Sequence, residues 1–368
     1  MIYMAVLVTG LAFSTLKGNS KSFFYSYLFL LLILASFRYG VGPDYFGYLY
    51  LYSLANTSLI EQIGELTGQE LLFRLFGSAL NYINFSYQEY LAVAALITLY
   101  YVGRICREYS RYPVFSLYLY FCLFYFVWVF SGIRQGLTLA IGVYYLLQCL
   151  ESRKHIKFVI VVYLLTLIHA SSLILLPFYI LANLNVRRKT LLIGVFFCFC
   201  ISLMPAQYLW AIFSYLPYYE RIEFYERNAV ETVNIFDFKS ISRLILLVLI
   251  GIVFAKSYSK NDEIQKKIMD VYVASFGVYY AFRFVEILAA NASLYGFMLI
   301  IIILPNMYGK LKNGPNSKVF LMFVLVFSVA YFFKTLYAME DMSKLNHSSL
   351  ITPYTNIFNK SEYFADAP

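Results

Sequence analysis

The sequence predicts an all-α polytopic membrane protein with about 12 spanning helices, within a range of roughly 10 to 14. Three observations carry this prediction. Of 368 residues, 61% are hydrophobic and 13% charged, with a mean hydropathy of +0.68. A water-soluble domain carries about 25% charged residues, so this chain cannot cover a water-facing surface. Its apolar residues fall into long runs separated by short polar breaks, as repeated bilayer crossing requires. Its basic residues collect in alternate loops. The net charge of +9 therefore does not imply nucleic acid, because no basic patch forms.

In chain order, apolar runs predict spans near 2–16, 22–37, 88–103, 113–130, 136–150, 158–170, 171–184, 190–205, 240–255, 268–286, 290–308 and 318–337. The first run lacks a preceding basic region, and Lys17 and Lys21 follow it, so it reads as a retained anchor with its N-terminus outside. The pair 158–184 reads either as two short spans or as one long helix broken at Pro177. The segment 70–85, with Arg74 and Asn81, is assigned to a re-entrant or interfacial helix on the outer side. That assignment puts the loops at 17–21, 104–111, 153–157, 187–189, 256–267 and 310–318 on one side. They hold eighteen of the 29 Lys and Arg residues, which makes that side the cytoplasm.

Two external loops are long, 38–87 and 206–239. The first carries Asp44, Glu61, Glu65 and Glu70; the second includes YYERIEFYERN, whose tyrosines and arginines suit glycan contacts. The polar tail after Lys334 is placed outside. The five cysteines lack metal-ligand spacing and read as small apolar residues. One membrane domain, 1–368, is expected. It shows no inverted repeat, nucleotide loop, serine elbow or zinc helix.

The stretch FRYGVGPDYFGY, Phe37 to Tyr48, is the most unusual of the chain. An arginine directly after an apolar run either snorkels to water or binds something. Gly40, Gly42 and Pro43 end the helix and expose N–H groups suited to an anion. Under the predicted orientation, Arg38, Arg134, His169 and Arg283 all reach the external face, each from a different hairpin. Converging guanidinium groups grip phosphate oxygens and stay charged at every relevant pH. A sugar diphosphate leaving group needs such help, because negative charge grows on it as the bond breaks. Gln135 is placed to orient a phosphate or a sugar hydroxyl, and Tyr45 to contact the glycan. Asp44 and His169 are alternative bases for the attacking hydroxyl, and Asp44 pairing with Arg38 is the competing structural reading. Glu286 is expected to pair with or orient Arg283. No metal and no cofactor is invoked.

RYGVGPDYFGY at 38–48, SGIRQGLTLAI at 131–141, IHASSLILLP at 168–177 and the run from Arg283 to Pro305 together resemble the EpsG family, relatives of the Wzy O-antigen and exopolysaccharide polymerases. The ordered set spans most of the chain. The resemblance implies polymerisation of undecaprenyl-diphosphate-linked oligosaccharide repeat units at the outer face of a bacterial cytoplasmic membrane. It also implies that Arg38, Asp44, Arg134, Gln135, His169 and Arg283 occupy motif positions. The expectation is a membrane glycosyltransferase of GT-C-like architecture, working beside membrane lipids, a flippase and a chain-length regulator. The rival readings are a polysaccharide flippase, a glycan ligase and an acyltransferase acting on the same lipid-linked glycans. A transporter would spread polar residues along a path across the membrane, whereas these charges gather at one face.

Overall fold

The computed structural model describes residues 2–17, 20–55, 70–204, 208–209, 241, 243–248, 250, 263–311, 314, 316–345, 351–362 and 364. Glu61, Glu65, His347 and the YYERIEFYERN stretch lie outside them. Among the described residues every regular element is helical, apart from one isolated antiparallel bridge between Arg38 and Asn356. Among them, too, four helices are long and apolar enough to cross a membrane: Tyr87–Tyr109, Pro113–Ser131, Glu286–Leu311 and Ser317–Ser343. Shorter apolar helices cover Ile2–Thr15, Lys21–Ser36, His155–Thr166 and Ala170–Asn183. The chain is a helical membrane protein, although these lengths alone do not deliver twelve spans.

Local chemistry sets the helix limits. Ser86 and Glu89 form a reciprocal capping box that starts Tyr87–Tyr109, satisfying two backbone donors at its first turn. Pro113, whose missing N–H costs nothing at a first turn, starts Pro113–Tyr120. That helix widens without interruption into an eleven-residue π-helix, Phe121–Ser131. The segment 70–85 contains the short helix Leu71–Tyr82. The region 158–184 is broken at Leu167–His169, not at Pro177, which sits in the first turn of Leu175–Asn183 where its missing donor is harmless. The predicted span 268–286 is likewise divided, because Glu263–Ala281 ends before Arg283, and Glu286–Phe297 begins after it.

The chain folds as two compact units. Unit 1 comprises Met1–Tyr144, Tyr163–Ala170 and Ile301–Pro368. Within it Lys21–Ser36 packs on Tyr87–Tyr109, Ile2–Lys17 packs on Pro113–Tyr120, and Ser317–Leu345 packs along the π-helix. Asn306 donates Nδ2–H to the Tyr109 carbonyl at 2.8 Å and accepts the Arg111 N–H at 2.7 Å, closing off a helix end inside the protein. Residues 351–364 then return to the start of the unit. Tyr39 N–H donates to the Thr355 carbonyl at 3.0 Å, Ile357 N–H to Phe37 at 3.1 Å, and Thr355 Oγ1 to Tyr39 at 2.6 Å. Tyr3 Oη reaches the Ile351 carbonyl at 3.0 Å. The tail is therefore part of the wall around residues 37–42.

Unit 2 comprises Tyr145–Val162 and Ser171–Ile300. Glu263–Ala281 is its central helix, packed by Leu175–Asn183, Arg188–Ser202 and Glu286–Phe297. Buried Lys267 pairs with Glu263 at 3.0 Å. His155 meets the Tyr179 hydroxyl through Nδ1 at 2.8 Å, a packed and hydrogen-bonded histidine.

Candidate functional site

The site in unit 1 is built where four interruptions of helix meet. The first is the turn 37–44. Gly40 and Gly42 adopt φ +63° and +110°, which L side chains rarely reach, and a Cβ on Gly42 would lie 2.9 Å from the Phe130 carbonyl oxygen. The turn is thereby pressed against the end of the π-helix, the second interruption. A π-helix carries an extra residue per turn and commonly marks a functional position. Here it ends at Ser131, whose Oγ donates to Asp44 Oδ2 at 2.6 Å. The chain restarts as Ile133–Ser152, with Gly136 packed so closely on Trp128 that an added Cβ would collide with its carbonyl oxygen.

The third interruption is the break Leu167–His169, and the fourth is the start of Leu71–Tyr82. Leu72 N–H donates to the Leu167 carbonyl at 2.8 Å, docking the short helix onto the break. That bond brings Glu70, the residue before the helix, against both Arg134 and His169. Arg134 Nη1 donates to Glu70 Oε2 at 2.8 Å. His169 Nδ1 lies 3.7 Å from Glu70 Oε1, an ion-pair separation too long for a hydrogen bond. The Arg134 guanidinium also lies over the Phe73 ring, 5.6 Å from its centroid. Burial pushes the Glu70 carboxyl up, but contact with His169 and the Arg134 charge outweigh it and pull it down to about 2. Glu70 is thus an anion bonded to a cation and facing an imidazole.

Arg38, expected to grip phosphate, is bonded to protein carbonyls in this structure. Only 1% exposed, it donates Nη1 to the Ala35 carbonyl at 2.9 Å and Nη2 to the Phe130 carbonyl at 3.2 Å, over the Phe130 ring. Two helix C-termini, each carrying partial negative charge, converge on this one guanidinium. Gln88 secures the same corner, donating to the Ser36 carbonyl and, at 3.0 Å, to that of Arg38. Asp44 does not pair with Arg38; it is exposed and takes the Ser131 hydroxyl. Tyr45 is 1% exposed, with its ring packed against Tyr39, Phe46 and Tyr87, so it faces protein instead of an open glycan site. Gln135, next to Arg134 in sequence, is buried. Arg283 belongs to unit 2, where it is buried in the turn between Glu263–Ala281 and Glu286–Phe297.

The geometry therefore gathers Asp44, Glu70, Arg134 and His169 at one end of unit 1. In the sequence Glu70 reads as one of several loop acids, with nothing to connect it to the site. Its signal is positional: an acid immediately before a short helix with one apolar face.

Comparison with curated proteins and with solved structures returned no match. The EpsG family model matches residues 21–356, which include every element of the site just described. The chain belongs to the EpsG family.

Proposed function

We propose that this protein is a polysaccharide polymerase, a glycosyltransferase that joins oligosaccharide repeat units carried on a polyprenyl diphosphate. The coarse class follows from the family. The observation that supports the chemistry is the contact of Arg134, Glu70 and His169 within one end of unit 1, beside exposed Asp44. Arg134 supplies the positive charge that the departing diphosphate needs as the sugar–phosphate bond breaks and its electron pair leaves with oxygen. The hydroxyl of the second repeat unit attacks the anomeric carbon, and His169 takes its proton, oriented by Glu70. Asp44, fixed by Ser131, orients the incoming hydroxyl. Arg38 and Gln88 hold the wall in place. Arg283 is a further candidate for anion binding, in unit 2. A GT-C-like arrangement and a site facing the outside of the cytoplasmic membrane belong to the same proposal.

The test is a polymer-ladder assay in a strain lacking this gene, complemented by wild type, Asp44→Ala, Arg134→Ala, His169→Ala or Arg283→Ala at matched membrane levels. Loss of the ladder with single repeat units still displayed outside supports a polymerase. Repeat units trapped on the cytoplasmic side would instead make the protein a transporter and overturn the proposal.

A further inference from the structure

Glu70 Oε1 and His169 Nδ1 face each other 3.7 Å apart, both buried and neither with a hydrogen-bond partner. A buried polar atom without a partner is costly, and here closing the gap by about 1 Å would satisfy both atoms at once. What opposes that movement is Arg134, which holds the other carboxylate oxygen at 2.8 Å. Of the other titratable groups described, Tyr48 and Tyr90 are buried near Arg134, Arg74 follows one turn along the Glu70 helix, and Asp44 lies close to Tyr48. Asp44 is engaged by the Ser131 hydroxyl and does not replace Glu70 on Arg134.

We infer that Glu70 is a positioning residue that couples anion binding at Arg134 to the orientation of His169. A diphosphate offers Arg134 two charged oxygens in the fork geometry that a guanidinium matches best, so it displaces the single carboxylate oxygen. The released carboxylate turns to His169 and accepts its Nδ1–H. That fixes the tautomer in which Nε2 carries the lone pair and can take a proton, as an orienting acid does for a histidine base. Without diphosphate the imidazole is not held, and water or a stray hydroxyl meets no organised base. The inference rests on the polymerase reading and adds a substrate-dependent step to it.

The chain has three histidines, at 155, 169 and 347, so ¹⁵N-histidine labelling gives three imidazoles to follow, assigned with His169→Gln. The full chain in lipid nanodiscs is titrated with a polyprenyl diphosphate as wild type, Glu70→Gln and Glu70→Asp. The expected result is that the wild-type His169 signals move as diphosphate binds. In Glu70→Gln they stay still, diphosphate binds about two- to fivefold tighter because Arg134 has lost its competitor, and turnover falls about tenfold or more. Glu70→Asp restores part of the movement. A merely supporting role would weaken binding and turnover together. Diphosphate binding that leaves the wild-type His169 signals unmoved overturns the coupling alone, and needs no variant to fold. Failure of wild type to bind diphosphate overturns the diphosphate site itself.

Discussion

Arg134 and Glu70 form an ion pair at 2.8 Å across 64 residues of sequence, and its carboxylate is the one that also faces His169. A charge-neutral pair at a proposed anion site is a resting state, displaced when a stronger anion arrives. Arg134→Ala is expected to lower polymerisation on the order of a hundredfold, while Arg134→Lys keeps the charge without the fork and retains a partial rate. Turnover of a lipid-linked repeat unit by purified protein checks both.

Glu70 also carries a pH dependence of stability. His169 and Arg134 pull its carboxyl down to about 2 in the fold, from an ordinary value of 4.5. A carboxyl held low contributes its stabilisation in full above the unfolded value and loses it as pH falls toward the folded one. Thermal unfolding in detergent should therefore show a fall in Tm between about pH 4.5 and pH 2 that is smaller in Glu70→Gln.

Arg38→Ala should damage folding before chemistry. It strips two buried carbonyls, at Ala35 and Phe130, of a charged donor, at a cost of about 2–3 kcal/mol. The expected result is a lower Tm and less protein in the membrane, with Arg38→Lys intermediate. Wild-type membrane levels with normal Tm and lost activity would return Arg38 to the substrate.

Two glycine substitutions separate close packing from helix propensity. Gly136→Ala places its Cβ against the Trp128 backbone carbonyl, so the π-helix junction must shift and expression should fail or Tm drop sharply. A Cβ added at Gly194 would meet nothing within 4 Å, so Gly194→Ala should be neutral or add up to about 1 kcal/mol. Parallel melting curves decide the comparison.

Much of this was legible in the sequence because lipid leaves little choice of element. The apolar runs at 2–16, 22–37 and 113–130 return as Ile2–Lys17, Lys21–Ser36 and Pro113–Ser131, since a backbone in hydrocarbon must bond to itself. The importance of the turn at 40–42 was legible too, because only glycine adopts such φ values cheaply. The partners of Arg38 were not. A guanidinium at a helix end looks the same whether it faces phosphate or the carbonyls of a second helix 92 residues away. Of the two readings of 158–184, the pair of short helices holds and the break at Pro177 does not: proline breaks a helix interior but is harmless in a first turn, so its position relative to the helix start decides its effect. Glu70 depended on a backbone bond between Leu72 and Leu167 that no local pattern records.

The tail is the last piece. Thr355 supplies the hydroxyl that seals the Tyr39 carbonyl, 316 residues after it in the chain. The turn at 37–42 emerges early in synthesis, yet its backbone partner arrives only once every intervening helix has been made. Closing this wall is thus a late event of assembly, although the turn it seals is among the first segments to be made.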